Sequence, residues 1–360
     1  MSSTPATTAS PLDRPTSASA GHLVVRAPNW VGDLVMATPV LEAARLAVES
    51  GDGPWSRLSI VLRGHLAAVV EGGALEPYLV RLEKGRGEAD VLAELAPDAA
   101  LLLTSSVGAA WRARKAGIPL RAGASLHGRG LLLTHRIVPP ARAGRRVPIP
   151  TAHLLRDLAG LVGLHPSDLH PVLAASPSDD ERASQLRAAA GFAPDEPFIL
   201  CCPGAAFGAA KLWPPPRFAQ ALEELHRRHG WRAIVTGGPG EERLMDAVCA
   251  AAPSASSLSA EPRDLGSLKA LVRDARLLLV GDSGPRWYAA AFDTPCVSVM
   301  GPNFPELTAT SLELCEVVRV EGLACSPCLE RVCPLDHHAC MVDLPSAAVV
   351  DAAGRVLARA

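Results

Sequence analysis

A chain of 360 residues with 48% apolar but only 4% aromatic residues can bury a large core, and its Ala/Leu/Val-rich mixture suits helices packed on parallel strands. The formal net charge of −2 provides no global basic field for nucleic acid, and no apolar run is long enough to span a bilayer. Residues 1–20, rich in Ser, Thr, Ala and Pro, lack the apolar stretch of a secretory signal, and the nine cysteines are an odd count. A disordered tail, unpaired thiols and a cytoplasmic location are therefore expected.

After the tail, the runs "HLVVRA", "RLSIVLRG", "YLVRLEK" and "AALLLTSS" read as strands. Between them "LVMATPVLEAARLAV", "HLAAVVEGG" and "ADVLAELA" carry apolar residues at helical spacing. That alternation predicts βαβ units and a parallel sheet. A less regular section around "LLLTHRIVPP" precedes the helical "TAHLLRDLAGLVGL". The Pro/Ser/Asp-rich "HPSDLHPVLAASPSDDERASQ" reads as the connection between domains. The pattern then restarts: the strand "PFILCCPG", the helix "PPRFAQALEELHRRHG", "WRAIVTGGPG", "EERLMDAVCAAA", "SLKALVRDARLLLVGDSGP" and "TPCVSVMGP". The ending "PSAAVVDAAGRVLARA" predicts a terminal amphipathic helix that packs back across the halves. Two doubly wound α/β halves follow, with ligand sites at the carboxyl ends of their strands and a cleft between them as the expected active site.

Asp33 lies where the first strand turns into the first helix. It reads either as an N-cap or as a carboxylate at a ligand-binding strand end, able to act as a base. In the second half three small-residue turns follow apolar strands. Gly204 and Gly208 allow close backbone approach, with Lys211 as a compact cation suited to phosphate or simply a solvated surface charge. Glu241 and Glu242 follow a Gly turn, placed to hold a ribose diol or to cap the next helix. Asp282, Ser283 and Gly284 offer a hydroxyl and turn amides. Together the three turns point to a nucleotide diphosphate. The chain lacks GxGxxG after its first strand and GxxxxGK[ST], which argues against a dinucleotide dehydrogenase and a P-loop NTPase. Without an Asp-x-Asp pair placed to hold a metal, a leaving diphosphate would depend on Lys211, backbone amides and helix dipoles.

The blocks "RAPNWVGDLVMATPVLEAAR", "PGAAFGAAKLWPPPRFAQAL", "GDSGPRWYAAAFDTPCVSVMGP" and "CSPCLERVCPLDHHACM" occur in an order that resembles the ADP-heptose:lipopolysaccharide heptosyltransferases, most closely the type II enzymes. The resemblance runs from about Leu23 to Leu344. It implies a GT-B fold, two doubly wound Rossmann-like domains facing each other across a cleft. Residues 21–175 would form the acceptor-side domain, 176–344 the nucleotide-sugar domain and 345–360 a terminal helix. It implies inverting transfer of heptose from ADP-heptose to an inner-core lipopolysaccharide sugar, with no required cofactor and no catalytic metal. By the same resemblance Asp33 is the base, and Gly204, Lys211, Glu241 or Glu242, Asp282, Ser283, Gly284 and Pro285 bind the donor. Asn29, Trp30 and Gly32 would meet the acceptor. The partners implied are a nucleotide sugar and the lipopolysaccharide core, with peripheral association at the inner membrane. The family's Asp-Ser/Thr-Gly-Pro-x-His reads "DSGPRW" here, so Trp287 replaces a histidine, either as packing or as the mark of an altered donor. The alternative function, in a different class, is a weak or inactive relative serving as a nucleotide-sugar- or metal-binding scaffold.

Cys325, Cys328, Cys333 and Cys340, with His337 and His338, have spacing compatible with zinc or iron–sulfur ligation. The favoured expectation is a metal-free structural knuckle away from the strand-end turns. Cys201, Cys202, Cys249 and Cys296 read as small core residues. His153 and Arg63 are candidates for the acceptor side, and "RKAGIPLRAG" and "ARAGRRVP" offer a basic surface for anionic lipid or an ordinary solvated face.

Overall fold

The computed structural model describes residues 21–142 and 145–360, with the backbone alone for Arg145. The tail expected over residues 1–20 lies outside the described residues. The chain divides into two compact units, the first ending at Val172 and the second spanning Leu173–Ala360.

In the first unit six strands form one sheet: β1 (Gly21–Arg26), β2 (Trp55–Arg63), β3 (Leu79–Leu82), β4 (Ala99–Leu102), β5 (Leu120–Ala124) and β6 (His135–Ile137). Their order is β3-β2-β1-β4-β5-β6, all parallel, with Val25 opposite Ile60 on one side and Leu101 on the other. A small antiparallel pair, β7 (Ala141–Arg142) and β8 (Arg145–Arg146), follows. The helices are α1 (Val31–Ser50), α2 (Ala67–Val70), α3 (Glu88–Leu95), α4 (Val107–Lys115) and α5 (Thr151–Gly160). Val24, Val61, Ala100 and Leu102 pack with Ala110, Ala113 and Ile118 in one core cluster. Burial on both faces explains why the central strands are continuous apolar runs.

The second unit repeats the plan. α6 (Pro177–Ala189) precedes β9 (Phe198–Cys202), followed by α7 (Pro215–His229), β10 (Arg232–Val235), α8 (Glu242–Ala251) and β11 (Ala255–Ser257). Then come α9 (Leu265–Asp274), β12 (Leu277–Gly281), α10 (Pro285–Ala291), β13 (Cys296–Val299), β14 (Cys315–Val318), α11 (Ala339–Val342) and α12 (Ser346–Leu357). The sheet order is β11-β10-β9-β12-β13-β14, again parallel. The direction of winding thus reverses between β1 and β4 in the first unit and between β9 and β12 in the second, the points where such sheets open a ligand crevice. The terminal helix α12 packs on α7, β13 and β14 of its own unit.

The stretch expected to be a linker is only partly one. From Pro177 it is helical, because Ser176 and Asp179 form a capping box: Ser176 Oγ accepts from Asp179 N at 3.1 Å and Asp179 Oδ2 accepts from Ser176 N at 2.8 Å. Its polar composition reflects an exposed helix face, not an irregular chain.

Candidate active site

In the first unit, Asp33 is not the helix cap. Trp30 occupies that position without a side-chain cap bond, and Asp33 is the third residue of α1, half-buried in the first turn. Its carboxylate there still lies in the favourable field of the helix N-terminus. Asn29 precedes it, held by two arginines. Its Oδ1 accepts from Arg26 Nη2 at 2.9 Å and from Arg63 Nε at 3.1 Å. Arg26, 2% exposed at the end of β1, also donates to Glu88 Oε1 at 2.7 Å, while Arg112 Nε reaches Glu88 Oε2 at 2.8 Å. With its oxygen engaged twice, the Asn29 carboxamide is fixed so that its NH2 group is the end left to meet a ligand. The Trp30 ring is exposed beside it and Gly32 is the second residue of α1. His153 is half-buried on α5.

The second unit carries its candidates after the carboxyl ends of β9, β10, β12 and β13. Lys211 ends a short 3-10 turn, Ala209–Lys211, and its Nζ donates to Asp282 Oδ2 at 2.6 Å and to Asp282 O at 3.3 Å. Asn303 Nδ2 donates to the same Oδ2 at 2.8 Å. The Lys211 and Asp282 side chains are 12% and 8% exposed, so the pair is held in a partly dry site. Below the turn, Trp213 is fully buried and its Nε1 donates to Leu344 O at 3.1 Å, anchoring the loop to the core. Ser283, Gly284 and Pro285 are half-buried where the chain enters α10.

The two acids of the Gly turn part company. The Glu241 carboxylate accepts from Gly238 N at 2.7 Å and lies where a Cβ on Gly204 would be, 2.0 Å away. A side chain at 204 would have to displace the Glu241 carboxylate from this position. Glu242 instead accepts from Gly240 N at 3.3 Å and pairs with Arg263 at 3.2 Å. Backbone amides, its own and that of Gly240, and then Arg263 hold its carboxyl below the usual range. Gly237, Glu242, Ser259, Pro262 and Arg263 line a surface recess of about 330 Å³ next to Glu241. That volume falls at the small end of ligand pockets.

The sequence pattern of "Glycosyltransferase family 9 (heptosyltransferase)" matches residues 90–339. The chain belongs to this family. Among similar proteins, lipooligosaccharide heptosyltransferase 2 of Campylobacter jejuni is 29% identical over 159 residues, covering 43% of this chain and 49% of that protein. Lipopolysaccharide heptosyltransferase 2 of Salmonella typhimurium is 29% identical over 131 residues, 35% of this chain and 37% of that one. The chain thus matches about half or less of the length of these curated relatives. In overall fold it is similar to E. coli ADP-heptose lps heptosyltransferase II, with a TM-score of 0.73 and 22% identity over 94% of this chain and 99% of the other. A glycosyl transferase family 9 structure from Veillonella parvula gives 0.74 at 20% identity, over 94% and 98%. The fold is α/β of the GT-B class.

In this family 9 chain Trp287 is a packing residue. It is 4% exposed, with the Arg286 guanidinium 4.3 Å from its ring centroid. The cysteine-rich segment corrects the sequence reading more sharply, because it does not lie away from the strand-end turns. Cys328 N and Leu329 N donate to Pro302 O at 3.1 and 2.8 Å, and Ser326 Oγ to Gly301 O at 2.9 Å. Arg331 O accepts from Ala210 N at 3.0 Å, and His338 Nε2 lies 2.8 Å from Ala210 O. After β14 the chain crosses back over the carboxyl ends of β9 and β13 and is stitched to the Lys211 turn. Burial, then the neighbouring Cys328, Cys325 and Cys333, push the Cys340 thiol up to about 11. Among the described residues no group of three or more His, Cys, Asp or Glu is arranged to hold a metal ion. Cys201, Cys202 and Cys296 are buried, whereas Cys249 on α8 is half-buried.

Asn303, Arg331, Arg26 and Glu88 belong to these networks and are not among the residues the sequence singles out. Asn303 had a usable signal, an amide in "GPNF" directly after an apolar strand. The others become visible only through contacts distant in sequence.

Proposed function

We propose that this chain transfers heptose from ADP-heptose to an inner-core lipopolysaccharide sugar with inversion. Family membership supports the reaction class, and one observation carries the reading onto this chain's residues: the Lys211–Asp282–Asn303 cluster at the β9/β12 switch point. Lys211 would meet the donor diphosphate, with Asp282 and Asn303 holding its ammonium in place. The recess beside Glu241 would receive the nucleoside, with Glu241 or Glu242 on the ribose diol.

Asp33 would accept the proton of the acceptor hydroxyl as its oxygen forms the bond to the anomeric carbon. The bond from that carbon to the phosphate oxygen breaks, and ADP departs with the electron pair. One base suffices for inversion, and no covalent enzyme intermediate is needed. A carboxylate at a helix start is a weak base, so its contribution would be mainly position. Asn29, Trp30 and Gly32 precede or flank Asp33 and would meet the acceptor. No cofactor is required in this scheme, since Lys211 and backbone amides supply the positive field. Among the described residues no helix is long and apolar enough to cross a membrane. The enzyme would work in the cytoplasm, meeting its lipid-linked acceptor at the inner membrane face.

Asp33→Asn tests this. Turnover with ADP-heptose and a core acceptor should drop by at least about 100-fold, the usual scale of losing a general base, with ADP affinity nearly unchanged. A folded Asp33→Asn protein with near-normal turnover would refute the assignment.

A further inference from the structure

The Lys211 ammonium is already neutralised in part. At 2.6 Å from Asp282 Oδ2, with both side chains largely buried, the carboxylate offsets much of the positive field that Lys211 presents to an incoming ligand. A nucleoside diphosphate brings at least two negative charges, so a site meeting it with this pair alone would lack a compensating cation. One lies alongside. Lys211 Nζ is 4.9 Å from the centroid of the Phe207 ring, and Arg331 Cζ is 5.0 Å from the same centroid. The two cations therefore lie within about 10 Å of one another, gathered on one aromatic ring.

Resting on the donor reading above, we propose that Arg331, delivered by the cysteine-rich segment, is a second donor-phosphate cation. Its backbone is fixed to the phosphate turn, since Arg331 O accepts from Ala210 N at 3.0 Å. The fit is close enough to require glycine opposite: a Cβ on Gly208 would lie 2.4 Å from Arg331 O. Arg331 Nη1 donates to Phe207 O at 3.0 Å, which orients the guanidinium. Nε and Nη2 remain for two parallel bonds to phosphate oxygens, the geometry a guanidinium provides and an ammonium does not. Among the described residues no carboxylate lies within ion-pair distance of Arg331, and the side chain is exposed. This gives the cysteine-rich segment a task, holding an arginine over the donor site.

Calorimetric titration of the full chain with ADP and with adenosine tests the proposal, comparing wild type, Arg331→Ala, Arg331→Lys and Lys211→Ala. Arg331→Ala should weaken ADP roughly tenfold to a hundredfold, the range for a charge-assisted hydrogen bond, and leave adenosine unchanged. Arg331→Lys should restore only part of the loss, and the melting temperature of each exposed-site variant should match wild type. If Arg331→Ala binds ADP as tightly as wild type while Lys211→Ala does not, this proposal fails and the donor reading stands. Equal losses for ADP and adenosine would also overturn it. Wild-type protein that binds no ADP would overturn both.

Discussion

Arg286 is 1% exposed and, among the described residues, has no carboxylate partner. It donates to Thr308 O and Thr310 O at 3.0 and 3.1 Å and, through Nε, to Cys315 Sγ at 3.3 Å. Cys296 and Cys315 are direct partners on β13 and β14. The hydrogen bond from the Cys296 thiol, with the guanidinium beside it and against the cost of burial, pulls the Cys315 thiol down to about 6 from an ordinary value of 9. A thiolate there would be the counter-ion a buried guanidinium needs. A folded-state pKa below the unfolded one gives stability that is complete above about 9 and is lost as pH falls through about 6. Cys315→Ser should therefore lower the melting temperature more at pH 8.5 than at pH 5.5, as scanning calorimetry across that range would measure. A difference that stays flat with pH would mean Cys315 is neutral in the folded protein. The sequence singles out Asp33, Lys211 and Asp282 as candidates because each follows an apolar strand and a small-residue turn. It could not identify Cys315 or Arg331, whose roles depend on partners 29 and 124 positions away.

At the scale of elements, legibility follows burial. The central strands β1, β2, β4, β9, β12 and β13 are enclosed by helices and appear as apolar runs. The short strands β5, β11 and β14 are not legible in the sequence. β5 is "LRAGA" and β11 is "ASS", short segments whose conformation comes from pairing with a neighbour, not from β-branched residues. α6 shows the converse error, a helix concealed by polar composition, although Ser-Pro-x-Asp at its start is a readable cap. It packs on α9, where the fully buried Lys269 donates to Ala174 O at 2.8 Å and lies 3.3 Å from Asp179. Ser176→Ala should cost about 1 kcal/mol, the typical loss of an N-cap, visible as a lower urea midpoint at constant slope. An unchanged midpoint would show that packing on α9 alone defines the helix start.

At the scale of the molecule, the chain passes abruptly from one unit to the next. Val172 N donates to Thr38 Oγ1 on α1 at 2.8 Å, while Ala174, two residues on, accepts from Lys269 on α9. Each unit has its own six-stranded sheet. The proposed donor contacts, from Gly204 and Lys211 through Glu241 and Asp282 to Arg331, all belong to the second unit, and the proposed base Asp33 belongs to the first. Leu173–Ala360 is large enough to bury an independent core. Expressed alone, this segment should unfold cooperatively and bind ADP within about threefold of the full chain, less than 1 kcal/mol of difference. It should transfer no heptose, because the group proposed to take the acceptor proton is missing. Adding the separate first unit should restore turnover only where the two associate, so activity should rise with the concentration of both. A cooperative fragment that has lost ADP would place part of the donor site in the first unit and overturn the division of labour argued here.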